Sequence, residues 1–188
     1  MDTDLTLHVA AQCAPVLLGI KMSNILITHP DNRDNVFELF QGTKFSVSQL
    51  VKNQERIIFL VYRRQWLQEY IQEKQNAAFL AEMGYEEEIL ERQILHMAKS
   101  YVGYLAGEKE FPHEMGIFLG YPLEDVRGFM VHEGKNYLYS GYWKVYQNVE
   151  QAKAVFEGYD RARKWLCELV HKGVFMGRKE DLKWIESM

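Results

Sequence analysis

The sequence is poor in cysteine, in long apolar runs and in targeting signals. Two cysteines among 188 residues, Cys13 and Cys167, cannot form a disulfide framework or a four-thiolate zinc site, so both are expected to be reduced thiols. The longest apolar stretches, such as Ile57–Tyr62, are far shorter than the roughly 20 residues of a membrane-spanning helix. Met1–Asp4 lacks the basic start of a secretory signal. We therefore expect no membrane partner and a cytoplasmic location.

The chain also lacks an excess of positive charge. It has 22 lysines and arginines against 26 aspartates and glutamates, which gives a formal net charge of −4. Proteins that bind nucleic acid usually carry a basic surface that neutralises phosphates, so a nucleic-acid partner is not expected. The glycines form neither a dinucleotide-binding fingerprint nor a phosphate-binding loop followed by Lys-Ser or Lys-Thr. The two commonest glycine-rich nucleotide-binding motifs are therefore excluded.

No internal repeat, low-complexity tract or linker rich in proline, glycine and serine divides the chain. The sequence therefore predicts one domain over residues 1–173 and a C-terminal tail over residues 174–188. In the tail, Leu182, Trp184 and Ile185 are candidates to dock on the domain. Strand and helix patterns occur without regular alternation, which favours an α+β fold over a doubly wound sheet. We expect a mixed or antiparallel sheet of about four strands packed with several helices.

Hydrophobic periodicity predicts where the main elements lie. Phe45–Val51 and Arg56–Tyr62 have the pattern of a β-hairpin, and the second strand is so uniformly apolar that it should lie in the centre of the sheet. Residues 65–83 and 85–106 carry two helical patterns, which predict a helical hairpin. A long C-terminal helix is expected over residues 148–173, where apolar residues recur on one face.

The most distinctive segment is Phe111–Gly128. Within it, the short apolar run Met115–Leu119 predicts a strand, Gly120 a tight turn, and Pro122 the first turn of a helix. Further on, Asn136–Tyr146 alternates large aromatic side chains between two faces, as a long strand does. We therefore expect strand, turn and helix across the distinctive segment, followed by a long aromatic strand.

These residues carry a resemblance to a known family. The run Phe111–Gly128, together with Cys13-Ala14-Pro15 near the start and Gly141–Tyr146 later, resembles the bacterial family designated domain of unknown function 3793. The resemblance extends over about residues 8–173 and implies no established activity. The N-terminal motif of that family reads His-Cys-Ala-Pro, whereas this chain has Gln12 before Cys13. This difference weakens any interpretation in which a His–Cys pair binds a metal or forms a nucleophile with its base.

Three residues are candidates for catalysis: Cys13, His113 and Glu114. A histidine beside a carboxylate can act as an acid/base pair or ligate a metal, although adjacent side chains on an extended segment lie on opposite faces. In the structural alternative, His113 hydrogen-bonds a neighbouring loop and Glu114 is solvated. Cys13 lies on an apolar stripe, where a buried inert thiol is the simpler interpretation. Reactivity would require a cationic neighbour or a helix N-terminus that lowers its pKa.

A second group of residues lies around the predicted turn and on the aromatic strand. These candidates for ligand binding are Gly120, Tyr121, Glu124, Asp125, Arg127, Trp143 and Lys144. A strand-to-helix turn exposes backbone N–H groups, but Glu124 and Asp125 would oppose an anion, so a cation or metal ion is the expected ligand there. The aromatic residues can stack on a planar ligand while Lys144 contacts a phosphate. Both features also have a structural explanation, as a helix start rich in acids and as a half-buried strand.

The sequence leaves two functions open. The first is a small protein that binds a small-molecule or metal ligand at the Phe111–Asp125 turn; whether it is an enzyme, and which cofactor it uses, are left open. The second is a non-catalytic interaction or regulatory protein, in which the aromatic strand or the tail binds a protein partner. The first is favoured because the unusual residues gather at turns, where binding sites tend to lie. A homo-oligomer is compatible with either function.

Overall fold

The computed structural model describes residues 3–86 and 89–187. This part of the chain contains nine α-helices and five β-strands. The helices are α1 (Thr3–Leu17), α2 (Arg33–Phe40), α3 (Arg64–Gln72), α4 (Lys74–Glu82), α5 (Leu90–Leu105), α6 (Met115–Phe118), α7 (Leu123–Val131), α8 (Val149–His171) and α9 (Lys179–Glu186). The strands are β1 (Ser23–Thr28), β2 (Ser46–Lys52), β3 (Ile57–Tyr62), β4 (Tyr139–Ser140) and β5 (Lys144–Val145). No helix in these residues has the length and hydropathy needed to cross a membrane.

The α+β class predicted from the sequence is confirmed. The strands form a three-stranded sheet and a separate two-stranded sheet, both antiparallel, in place of one sheet of about four strands. A long C-terminal helix is present as α8, which begins and ends within two residues of the predicted bounds of 148 and 173. Its apolar face carries the regular helical spacing on which this prediction depended.

The chain divides into two compact units. The first comprises the described residues of Met1–Arg64 and Gly158–Met188, and the second comprises those of Gln65–Glu157. The segment predicted as a C-terminal tail belongs to the first unit, because Phe175 and Leu182 are fully buried in the apolar core of that unit. The single domain predicted from the sequence stays a prediction.

In the first unit, β3 lies between β1 and β2 and pairs antiparallel with both. All six residues of β3 are buried, which explains why Ile57–Tyr62 is apolar without alternation. The predicted hairpin and the central position of its second strand are confirmed. Strand β2 carries one extra residue, Leu50, between the partners of Phe59 and Ile58, and this forms a bulge at the sheet edge.

Side chains from α1, α2, α8 and α9 share one apolar core with this sheet. On α1, Leu5, Val9, Cys13 and Val16 are fully buried and recur every three or four residues. Cys13 therefore lies inside the core of the first unit, on the apolar face of its helix.

The second unit is mainly helical, and its first helices depart from the predicted helical hairpin. Residues 65–83 form two helices, α3 and α4, because Glu73 between them has non-helical dihedral angles (φ −53°, ψ 134°). The helix predicted over residues 85–106 begins at Leu90. The part of that prediction at residues 87 and 88 lies outside the described residues.

The strand predicted over Met115–Leu119 is wrong, because this segment forms the short helix α6. The turn before it is already helical: each N–H from Met115 to Ile117 donates to the carbonyl three residues earlier. An apolar run of this length fits a buried helical turn as well as a buried strand, so its composition does not distinguish the two. The turn at Gly120 (φ 72°) and the helix after Pro122 are as predicted.

The long strand predicted over Asn136–Tyr146 is also wrong. The segment folds into a small hairpin of β4 and β5, in which the N–H of Gly141 donates to the carbonyl of Trp143 at 3.1 Å. A Cβ atom at Gly141 would lie 2.3 Å from the ring of Phe156, so the close packing of this turn requires glycine. Side chains alternate in the same way along one long strand and along two strands that turn back, and the pattern therefore did not reveal the turn.

Candidate functional site

The second unit contains a cavity of about 400 Å³, which we call the aromatic cavity. The α6–α7 segment and the β4–β5 hairpin provide its walls. It is lined by Phe111, His113, Met115, Gly116, Leu119, Tyr121, Asp125, Val126, Phe129, Ser140, Gly141, Trp143 and Lys144. A cavity of roughly 300 to 1,000 Å³ with a mostly apolar lining and a few fixed polar groups is typical of small-molecule sites.

Asp125 is the most deeply buried charged residue of this lining, with 4% of its surface exposed. It lies in the first turn of α7, where a carboxylate complements the helix dipole. Its Oδ2 accepts a hydrogen bond from the indole Nε1 of Trp143 at 2.7 Å. Its Oδ1 accepts from the backbone N–H groups of Tyr146 at 2.7 Å and Gln147 at 3.4 Å. These bonds connect α7 to the β4–β5 hairpin and fix the carboxylate in the wall.

Trp143 is held from three sides. Besides its bond to Asp125, its ring stacks on Tyr121 with centroids 4.9 Å apart and meets Phe156 edge-on at 4.5 Å. Burial raises the pKa of Tyr121, so its phenol is neutral at physiological pH. Tyr121 and Trp143 therefore form a rigid aromatic wall on which a planar group can stack.

His113 and Lys144 line the same cavity and also contact aromatic rings. The imidazole of His113 lies 5.4 Å from the ring of Phe111 and 5.2 Å from that of Phe129, measured between centroids. The Nζ of Lys144 donates to the carbonyl of Gly134 at 2.5 Å and lies 5.5 Å from the ring centroid of Phe129. Phe129 was not singled out from the sequence. Its position four residues after Asp125 on a predicted helix places both on one face, and that spacing could have identified it.

Glu114 is buried rather than solvated, and its partner is Tyr85. The phenol of Tyr85 donates to Oε1 of Glu114 at 3.0 Å, and the Tyr85 ring stacks on His96 at 4.4 Å. Burial, and then the neighbouring carboxylate, raise the pKa of Tyr85 above its usual value. Glu114 therefore anchors the start of α6 against Tyr85 and is not among the residues that line the aromatic cavity.

Cys13 is fully buried in the first unit, whereas His113 belongs to the second. Burial raises the pKa of the Cys13 thiol to about 12, and Lys21 offsets only part of this effect. Because the thiolate is the nucleophilic form, a thiol with this pKa is inert at neutral pH. The structural interpretation of Cys13 as a packed core residue accounts for its surroundings.

The remaining predicted ligand-binding residues lie outside the aromatic cavity. Gly120 and Glu124 line a second, more polar cavity of about 550 Å³, to which Glu73 also contributes. The Gly120–Asp125 turn therefore contributes to two cavities. Gly120 and Glu124 line the polar cavity, whereas Tyr121 and Asp125 line the aromatic cavity. Arg127 is exposed and forms an ion pair with Glu82 at 3.4 Å.

Metal binding finds no support in the part of the chain that the structure describes. Within residues 3–86 and 89–187, no group of three or more His, Cys, Asp or Glu side chains could hold a metal ion. The carboxylates of Glu114 and Asp125 accept hydrogen bonds from different side chains, Tyr85 and Trp143 respectively.

These features define an α+β protein whose second unit contains an aromatic cavity with a buried carboxylate in its wall. The chain matches the family described as "Protein of unknown function (DUF3793)" over residues 9–178, and it belongs to that family. The resemblance drawn from the distinctive segment is thereby confirmed. No curated protein and no solved structure matches the chain.

Proposed function

We propose that this protein binds a small organic molecule with a planar apolar ring in the aromatic cavity of its second unit. The observation that carries this proposal is the composition of the cavity: a volume of about 400 Å³, walls of apolar and aromatic side chains, and a buried carboxylate held by fixed donors. Rigid aromatic walls favour stacking, and a few oriented polar groups select among ligands of similar shape.

The expected affinity follows from the apolar area that a ring would bury. A bicyclic ring that loses about 200 Å² of apolar surface to the cavity gains about 5 kcal/mol at 25 cal/mol per Å². The loss of translational and rotational freedom offsets part of this gain. Ring-sized fragments are therefore expected to bind with dissociation constants between about 0.2 mM and several mM.

We propose binding and not catalysis because the three catalytic candidates, Cys13, His113 and Glu114, are buried or engaged in contacts with other side chains. Cys13 is a buried thiol whose pKa is raised to about 12, and Glu114 accepts a hydrogen bond from Tyr85. His113 contacts the rings of Phe111 and Phe129. These contacts support a packing role for the three catalytic candidates.

A fragment screen by ligand-observed NMR tests the proposed function. Ser140 lines the cavity and is also exposed to solvent. A tryptophan at this position, Ser140→Trp, is therefore expected to fill the cavity without a clash in the core. Leu138→Trp is the matched control, because Leu138 is 65% exposed on the same hairpin and is not among the lining residues. Fragments that bind the wild-type protein should lose binding to the first variant and keep it with the second. Equal binding to both variants, or no binding of any ring compound to the wild-type protein, would contradict the proposed function.

A second candidate function is the binding of a protein partner. Exposed apolar side chains before and on the hairpin favour it, with Val131 76% and Leu138 65% exposed. Light scattering over a range of protein concentrations, for the wild-type chain and for a Val131→Ser, Leu138→Ser double variant, tests whether these two side chains mediate self-association. A homo-oligomer and a cytoplasmic location stay predictions.

A further inference from the structure

We infer that the ligand of the aromatic cavity carries a positive charge or a strong N–H donor, which it places against the carboxylate of Asp125. The ligand class would then be an aromatic amine or a basic nitrogen heterocycle. This inference rests on the proposed function, because it concerns the ligand of the same cavity. It specifies the charge of the ligand, which does not follow from the apolar lining of the cavity.

Asp125 is buried in the wall of the aromatic cavity. The residue is 4% exposed, and within the part of the chain that the structure describes no lysine, arginine or histidine nitrogen lies within 4.0 Å of its carboxylate. Buried charges are normally paired, because moving an unpaired charge out of water costs several kcal/mol. Here the charge is stabilised by three N–H groups, so it is solvated by dipoles but not neutralised.

Asp125 also has hydrogen-bonding capacity left for a ligand. A carboxylate offers about four lone-pair sites. Two N–H groups use Oδ1, whereas Oδ2 accepts one bond, from the indole of Trp143. One further donor can therefore bind at Oδ2, next to the ring on which a planar ligand would stack. A ligand N–H⁺ group at this oxygen would form a charge-assisted hydrogen bond, which is roughly twice as strong as a neutral one.

The aromatic rings of this cavity attract cations as well as apolar groups. A cation within about 6 Å of an aromatic face gains from the ring quadrupole, most of all when it is desolvated. The protein already uses this interaction at the same place: the ammonium of Lys144 lies 5.5 Å from the centroid of Phe129 and 4.8 Å from that of Tyr137. A ligand cation beside Tyr121 and Trp143 would gain in the same way.

Lys144 is the competing charge, since it also lines the cavity and would attract an anion. Its ammonium, however, donates to the carbonyl of Gly134 at 2.5 Å and lies over the two rings named above. The residue is also only partly buried, so water can solvate it. Neutralising the deeply buried Asp125 is therefore expected to gain more free energy than adding an anion beside Lys144.

Three indole compounds of matched size and different charge test this inference by NMR titration of the wild-type protein. Tryptamine is a cation at neutral pH, tryptophol is neutral and indole-3-acetate is an anion. Tryptamine is expected to bind about ten times more tightly than tryptophol, and indole-3-acetate more weakly than both. Equal binding of the three, or a preference for indole-3-acetate, would overturn the charge assignment and leave the proposed function standing. If none of the three binds, the charge assignment is overturned, and the fragment screen decides the proposed function separately.

A pair of variants assigns the preference to a residue. Asp125→Asn removes the charge at nearly constant volume, although its NH2 group replaces one acceptor of the surrounding N–H donors, so it should weaken tryptamine binding about tenfold more than it weakens tryptophol binding. Glu124→Gln removes the same charge from the adjacent exposed residue and should leave both affinities within about twofold. An equal loss in both variants would point to a general surface potential and overturn the role of Asp125. Because the three-compound series uses the wild-type protein, it decides the charge preference even if Asp125→Asn does not fold.

Discussion

The side chain of Gln12 on α1 pairs with the main chain of Ile27 on the edge strand β1. Its Nε2 donates to the Ile27 carbonyl at 3.0 Å, and its Oε1 accepts from the Ile27 N–H at 2.9 Å. Asn24 on the same strand donates from its side chain to the Gln12 carbonyl. A glutamine amide thus provides both a donor and an acceptor to a strand edge that would otherwise present unpaired groups. The residue that departs from the His-Cys-Ala-Pro motif therefore has a structural role.

Replacing this glutamine is expected to weaken the first unit. Gln12→Ala leaves the N–H and carbonyl of Ile27 to solvent, which should lower the free energy of unfolding by about 1 kcal/mol. The uncovered edge should also increase self-association. Urea denaturation and light scattering measure the two effects. Gln54→Ala, the same change in the exposed turn between β2 and β3, is the control, and an equal effect there would contradict the role of Gln12.

The second prediction concerns a buried lysine of the first unit. Lys21 is 6% exposed, donates to Oδ1 of Asn24 at 2.5 Å and lies 5.5 Å from the ring centroid of Tyr159. Burial lowers the pKa of Lys21 from 10.5 to about 8, and it raises the pKa of Cys13 from 9.0 to about 12. The unfolded chain therefore binds the Lys21 proton more tightly than the folded one, and it binds the Cys13 proton less tightly.

These two shifts act in opposite directions on stability. The free energy of unfolding should rise from pH 8 to 9 by about 0.6 kcal/mol, because deprotonation of Lys21 in the folded state contributes about 1 kcal/mol and partial ionisation of Cys13 in the unfolded state offsets about 0.4 kcal/mol. Between pH 9 and 10.5 ionisation of the unfolded Cys13 should cancel the rise, and above pH 10.5 stability should fall. Lys21→Met should abolish the rise between pH 8 and 9 in denaturation experiments. The exposed Lys52→Met is the control; a Lys21→Met protein with the wild-type slope would refute the assignment.

The third prediction concerns the connection between α7 and the hairpin. Asp125→Ala removes the acceptor of the Trp143 indole and of the Tyr146 N–H, which leaves these donors without their partner. The free energy of unfolding should fall by about 3 kcal/mol, since each buried unsatisfied donor costs about 1 to 3 kcal/mol. Circular dichroism during urea denaturation measures the change. Glu124→Ala, at the exposed neighbouring position, should change stability by less than about 0.5 kcal/mol, and a similar loss in both would argue against this connection.

The fourth prediction uses two glycines that both lie inside helices. A Cβ at Gly128 on α7 would lie 2.5 Å from Cγ of Tyr146, whereas a Cβ at Gly158 on α8 would have its nearest neighbour, the guanidinium of Arg161, at 3.9 Å. Gly158→Ala should therefore stabilise the protein by about 0.5 to 1 kcal/mol through helix propensity. Gly128→Ala should destabilise it by about 1 to 3 kcal/mol, because the ring must move. Thermal unfolding of both variants checks the opposite signs; a shift in the same direction would contradict the packing at Gly128.

The elements that could be predicted from the sequence are those with a strong local pattern. The long helix α8 carries an apolar face over many turns, and β3 is apolar at every position because both faces are buried. Short segments were ambiguous: Met115–Leu119 has too few residues for periodicity to distinguish a helix from a strand. The alternation in Asn136–Tyr146 likewise did not reveal the turn at Gly141, since two short strands keep the period of one.

The residue types at the site were determined by the sequence, and their grouping was decided by the tertiary structure. His113, Tyr121, Asp125, Trp143 and Lys144 were all candidates from the sequence, and all line the aromatic cavity. The sequence could not show that Asp125 bonds to a tryptophan 18 positions away. Contacts at that separation depend on the path of the chain, because local periodicity describes only which face of an element a residue occupies.

Contacts between residues far apart in the sequence also explain why two of the catalytic candidates do not line the aromatic cavity. Glu114 bonds to a tyrosine 29 positions earlier, and Cys13 lies in the core of the first unit, although both stood out in the sequence for their chemistry. The amino-acid sequence by itself determined the family, the fold class and which segments carry unusual residues. Only the tertiary structure decided which of these side chains face a cavity and which stabilise a core, because burial depends on all the elements that pack around a residue.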